Sequence, residues 1–177
     1  MCFKSAASPG FVVIDLHENM VSVNDSDLFR KPELLIRSIE PRDAEQVSVL
    51  TEQLGYQRSA DNIRTWIEDL PMRAADRAGF VACIAEEIVG WIEVSVQHHL
   101  QSAAHALIGG LVVKDGYRNR QIGLRLCQYV EAWTWERGLT ILRVTSRSTR
   151  LDAHRFYDRN GYTLTKLSHV YEKHRPE

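Results

Sequence analysis

One stretch constrains this chain more than any other: ALIGGLVV, residues 106–113, runs through KDGYRNRQ directly into the helical pattern of IGLRLCQYVEAW. A strand this apolar is buried on both faces, so it needs cover from helices above and below. Gly109 and Gly110 inside it mark a bulge or a close approach of another backbone. The loop behind it places Arg118 and Arg120 at a helix start. A helix N-terminus offers about four unbonded N–H groups and the positive end of the helix dipole, which together seat an anion such as a phosphate.

The rest of the chain supplies the other elements of a mixed sheet. Residues 1–33 break their apolar residues with Ser, Asn and Asp and read as an extension, in which GFVVIDLH could add an edge strand. Residues 34–177 read as one domain. A short strand, LLIRSI, precedes a helix with Val47, Leu50 and Leu54 on one side, stopped by Gly55. Ser59 then caps a second helix carrying Ile63, Trp66, Ile67 and Leu70, closed by Pro71. FVACIA and IVGWIEVSV, separated by Glu86 and Glu87, read as an antiparallel hairpin, and the polar HHLQSAAH as a connection.

Beyond the basic loop, a helical stripe of Ile122, Leu126, Tyr129, Val130 and Trp133 ends at Arg137 and Gly138. ILRVTS is a strand, Thr149 with Asp152 resembles a capping box, and Tyr162 to about Lys173 reads as a last strand. The order is strand, two helices, three strands, helix, strand, helix, strand. This is an α/β chain (α+β mixed sheet) with helices on its faces.

Charge separates two regions. Lys114 to Arg159 holds ten Lys or Arg against five Asp or Glu, a net +5, and the whole chain carries −1, so the remainder carries −6. The bulk charge therefore gives no footing for nucleic acid, while one end of the molecule favours an anion. Three cysteines, Cys2, Cys83 and Cys127, form no CxxC pattern, as in a reduced, cytoplasmic protein. No apolar run approaches the roughly 20 residues of a membrane span. His98, His99 and His105 lack the carboxylate or Cys spacing of a metal site, so no metal is expected.

GLVVKDGYRNRQIGLRL resembles the signature of the GNAT superfamily of acetyl-coenzyme A-dependent N-acetyltransferases. That signature reads Arg or Gln, two residues, Gly or Ala, one residue, Gly or Ala, between a hydrophobic-Val-Val strand and a long helix. Arg118 and Gly123 match, whereas Gln121 stands at the middle glycine, Asn119 at the usual glycine after the arginine, and Asp115 at the common proline. RLDAHRFYDRNGYTL is similar to a second family segment through Ala153, Phe156, Tyr157, Gly161 and Tyr162, and Arg150 stands where many members carry Asn. The likeness covers about Leu34 to Lys173.

The resemblance implies a GNAT-like fold: mostly antiparallel N-terminal strands, a parallel pair splayed at the cofactor site, and about four flanking helices. It implies acetyl-CoA as cosubstrate, with pantetheine along Leu111, Val112 and Val113 in the manner of strand addition. The pyrophosphate would rest on Arg118, Asn119, Arg120, Gln121, Ile122, Gly123 and Leu124, and Arg150 joins the cofactor-binding set. Tyr157 takes the role of general acid toward the departing thiolate, since a phenol with a pKa of about 10 starts protonated. Some relatives place the base, a Glu, on the strand before the cradle; His105 to Val113 contains no acid. Glu93 on the neighbouring strand is the first candidate and His105 the second. The acceptor implied is a small-molecule primary amine, aminoglycoside-like in kind. A protein N-terminus or lysine, or a non-catalytic acyl-CoA-binding module, are the alternatives, and relatives often form homodimers.

Overall fold

The computed structural model describes residues 33–176. The extension to residue 32, with GFVVIDLH and Cys2, lies outside the described residues. Five strands form one sheet: β1 (Leu34–Ser38), β2 (Arg77–Ile84), β3 (Glu87–His99), β4 (Ser102–Val113) and β5 (Leu142–Val144), in the order β1-β2-β3-β4-β5. The first three pairings are antiparallel and β4–β5 is parallel, as the family resemblance implies. Four helices cover it: α1 (Ala44–Leu54), α2 (Ala60–Glu68), α3 (Ile122–Glu136) and α4 (Leu151–Arg159). No helix among the described residues is long and apolar enough to cross a membrane.

Both faces of the sheet are packed. Val47 and Leu50 of α1 and Ile63 and Ile67 of α2 meet Val81, Cys83, Ile88 and Val112 on one face. Leu126, Cys127, Val130 and Trp133 of α3 meet Phe80, Val89, Ile92 and Ile108 on the other. Cys83 and Cys127 are small core residues, and burial pushes the Cys127 thiol up to about 12, too high for a nucleophile at neutral pH. Ser59 caps α2 by accepting from the Asn62 N–H at 3.2 Å, and Gly55 ends α1 in a left-handed conformation.

Four local expectations differ from the structure. The first hairpin turns on Ala85 and Glu86, with Ile84 paired to Glu87. HHLQSAAH is the tip of a second hairpin, since β3 runs to His99 and β4 begins at Ser102. No capping box starts α4: Arg150 takes the cap position, and its guanidinium instead donates to the Leu54 carbonyl at the end of α1, at 2.5 Å. Tyr162 to Lys173 forms no strand. Its apolar residues Leu164, Leu167 and Val170 recur every third position, so no single strand face gathers them, and all three are exposed.

The entry to α1 depends on one ion pair. Arg37 of β1 donates to both Asp43 oxygens, at 2.7 and 2.8 Å, and the Glu40 N–H donates to the same carboxylate at 2.8 Å. Asp43 is buried; burial alone would raise its pKa, but these bonds outweigh it and hold the carboxyl below its ordinary value. A depressed folded pKa gives stability that is complete above the unfolded value of about 3.9 and lost as pH falls through the folded value. Asp43→Asn should therefore cost about 2–4 kcal/mol and flatten the acid limb of a Tm-against-pH series. An unchanged Tm and acid limb would contradict this role.

Candidate active site

Strand β4 changes company partway along. It pairs with β5 only at Ala106, Leu107 and Ile108, then continues alone on that side through Val113. Five residues of open edge, roughly 16 Å at the usual strand rise, are left for another extended chain. Leu111, Val112 and Val113 lie on this edge. Gln53 of α1 fixes its end: the side-chain amide donates to the Val113 carbonyl at 2.9 Å and accepts from the Asp115 N–H at 3.0 Å.

The loop behind β4 is shaped to present N–H groups. Asn119 and Gln121 both adopt left-handed backbone, with φ of 63° and 61°. The N–H groups of Asn119, Gln121, Ile122, Gly123 and Leu124 have no acceptor among the described residues, and Arg125 N–H makes the first α3 bond, to the Gln121 carbonyl at 2.9 Å. Arg118 pairs with Asp115 at 2.9 Å and Arg120 lies 5.0 Å over the Tyr117 ring, so the loop's arginines sit at its rim. Glu87 holds the loop from below, accepting from Lys114 and from the Tyr117 hydroxyl, the latter at 2.5 Å. This cradle fits a diphosphate by its unbonded donors and helix start.

The two segments that carried the family resemblance touch. A Cβ on Gly123 would come within 3.3 Å of the Phe156 ring and 3.6 Å of Val113, so glycine there lets α4 lie against the start of α3. Tyr157, next along, stacks edge-on to Phe156 and Tyr162, with ring centroids 5.2 and 5.4 Å away. Burial pushes its phenol well above the ordinary value. Its hydroxyl makes no hydrogen bond among the described residues. Arg150, at the start of α4, binds that helix to the end of α1.

Glu93 sits at the opposite face of the splay. β3 and β4 shift register between the Glu93–Gly110 and Val94–Ile108 pairs, which makes Gly109 the bulged residue. The Glu93 carboxyl fills the space over it, 2.5 Å from where a Cβ would stand, and the Trp91 ring fills the same space over Gly110 at 2.6 Å. Burial raises the Glu93 pKa, against smaller opposing pulls from Arg77 and Arg58. With Trp66, Arg77, Val94, Ser95 and Gly109 it lines a cavity of about 180 Å³. His105 is buried, and both its ring nitrogens are engaged: Arg143 donates to Nε2 at 3.1 Å, which leaves Nδ1 to donate to the Ala103 carbonyl at 3.2 Å. Both nitrogens are thus spent inside the fold.

Gln53, Glu87 and Gly79 escape sequence reasoning. Gly79 of β2 pairs with Glu93 of β3, and a Cβ there would stand 2.8 Å from Ile39 and 3.2 Å from the Trp66 indole. Each acts on a partner far along the chain, and no local pattern marks it.

Two substitutions test this geometry. Gln121→Val puts a stiffer, β-branched side chain at a positive φ that is a genuine outlier for such residues, and should weaken coenzyme A about tenfold in calorimetry, while Gln121→Gly holds or tightens it. Equal affinities for the two variants would refute the strained cradle. Gly109→Ala should displace the Glu93 carboxyl and lower the rate of acetyl transfer at least tenfold, with coenzyme A affinity kept. An unaffected rate would separate Glu93 from the reaction.

Comparison with known proteins agrees with this geometry. Residues 43–162 match the acetyltransferase (GNAT) family. The chain is 33% identical over 124 residues to the aminoalkylphosphonate N-acetyltransferase of Salmonella typhimurium, covering 68% of this chain and 74% of that protein. It superposes with a TM-score of 0.71 on AAC(6')-Iy bound to a coenzyme A bisubstrate analogue, covering 80% of this chain and 99% of that one at 19% identity. The aminoglycoside 6'-N-acetyltransferase of Acinetobacter baumannii gives 0.70, covering 81% and 100%, also at 19% identity. With its cradle, splayed strand and both motif segments in place, the chain belongs to the GNAT family of acetyltransferases, enzymes that use acetyl-CoA.

Proposed function

We propose that the protein transfers an acetyl group to the primary amine of a small molecule, with Glu93 as general base and Tyr157 as general acid. The observation that carries this reading is the Glu93 carboxyl lodged over Gly109, one residue beyond the last β4–β5 pair. A base there faces the point where the open strand edge begins. Acetyl-CoA, held along Leu111 to Val113 and on the N–H groups of the cradle, supplies the acetyl thioester.

An amine enters mostly as ammonium and must lose a proton before it attacks. The Glu93 carboxylate takes that proton, and its raised pKa makes it a stronger base than an exposed glutamate. A backbone N–H near Leu111 donates to the carbonyl oxygen as negative charge gathers there. Tyr157 then gives its proton to the departing sulfur. The burial that lifts its phenol keeps it protonated until that step, the form a proton donor needs. The aminoalkylphosphonate relative supports a small acceptor. An aminoglycoside-like acceptor draws only on structures of 19% identity, which speak for the fold.

Free thiol released from acetyl-CoA, followed with a panel of amines, tests the roles. Tyr157→Phe should lower kcat by about a hundredfold with coenzyme A binding retained. Glu93 works deprotonated, so wild-type kcat/KM should fall with acid below a pKa higher than that of an ordinary glutamate. Glu93→Gln should lose that limb together with most of the rate. A Glu93→Gln enzyme with the wild-type limb would assign the base elsewhere, and full activity in Tyr157→Phe would remove the acid. Turnover confined to peptide amines would favour a protein acceptor.

A further inference from the structure

The cavity at Glu93 holds a second charged group that the acetyl-transfer chemistry does not use. Arg77 opens β2 opposite Ser95 and lies two residues before Gly79, so it shares the face of the sheet on which Glu93 and Trp66 sit. Its guanidinium makes no ion pair or side-chain hydrogen bond among the described residues, although it lines the same cavity as the Glu93 carboxyl. Ser95 beside it accepts from the Gln97 amide at 2.8 Å and so keeps its own hydroxyl proton to donate. The cavity lining thus offers a carboxylate together with cationic and hydroxyl donors.

Size and charge together select the occupant. A cavity of about 180 Å³ is smaller than the roughly 300–1,000 Å³ that encloses a drug-sized ligand. A molecule with several amino sugars would extend beyond it. Glu93 is the one carboxylate among the lining residues, and Arg58 adds a second guanidinium within electrostatic reach of it. A polycation entering here would meet more positive charge than negative. A small zwitterion would satisfy both charges, its ammonium toward Glu93 and its anion in the planar fork of Arg77.

We propose that Arg77 is the specificity-determining residue, and that the acceptor is a small primary amine bearing an oxyanion, a phosphonate, phosphate or carboxylate, on the same molecule. This rests on the acetyl-transfer reading above. It adds to that reading the group that recognises the acceptor's far end and the class of amine that the site rejects.

The test compares 2-aminoethylphosphonate, β-alanine, propylamine and neamine as acceptors for the full chain with acetyl-CoA. Wild-type kcat/KM should be at least tenfold higher for an anionic amine than for propylamine, and higher than for neamine; the phosphonate and carboxylate arms identify which anion is preferred. Arg77→Gln should reduce the ratio of anionic amine to propylamine at least tenfold, chiefly through KM, and Arg77→Lys should recover part of it. A ratio unchanged in Arg77→Gln, or a wild-type preference for neamine or propylamine, overturns the proposal. Calorimetry of 2-aminoethylphosphonate into the coenzyme A complex keeps the two readings distinct. Binding that depends on Arg77 without any turnover would refute the proposed transfer and uphold the anion site. Acetylation of these amines with binding that ignores Arg77 would do the reverse.

Discussion

The site depends on β4 losing its partner at Ile108. A parallel strand normally gives its backbone groups to a neighbour on each side, and leaving them open costs free energy unless something else bonds to them. β5 ends at Val144, and β4 runs on from Ile108 through five more residues. The neighbouring elements are organised around that open edge: Gln53 secures its far end, the cradle continues from it, and the bulge at Gly109 lies at its start. The bulge reorients β4 against β3 and leaves room for a carboxyl where a side chain would otherwise stand.

The cradle holds its shape against local preference. Asn119 and Gln121 each sit at positive φ, where a residue with a Cβ loses roughly 1–2 kcal/mol. Such a conformation persists only where the surroundings fix it. Here they do so from three directions: Glu87 of the β2–β3 hairpin through Lys114 and Tyr117, Gln53 of α1 through Asp115, and Phe156 of α4 through the bare Cα of Gly123. A glycine at position 121 would remove the local cost. The chain instead meets it with long-range contacts.

The range of each interaction decides how much of this was legible in the sequence. The apolar run of β4, the glycine stop at Gly55, the Ser59 cap and the double glycine of the bulge are local patterns, and each appears where expected. The cradle was legible as a helix start behind a strand. Gln53 and Glu87 were not, because their partners lie about 60 and 30 residues away and neither breaks a local pattern. Arg150 shows the same limit: its bond to the Leu54 carbonyl at the end of α1 spans 96 residues, and no local pattern marks it. The strand expected after Tyr162 fails for the opposite reason. Its composition suits a strand, but its apolar spacing of three matches neither face of a sheet.

Ionisation ties the two sides of the site together. Burial raises both Glu93 and Tyr157, so it favours the neutral form of each. For Tyr157 this is the form that a proton donor needs. For Glu93 it is the wrong form, and the smaller pulls of Arg77 and Arg58 only partly correct it. In the proposed reaction the acceptor supplies the correction itself, because an ammonium beside the carboxyl favours its charged state as it docks. An anion bound to Arg77 would cancel part of that guanidinium's pull on Glu93, raising the carboxylate's affinity for the proton it must take. One zwitterion would then ionise the base through its ammonium and strengthen it through its anion, whereas an amine without the anion offers only the first effect.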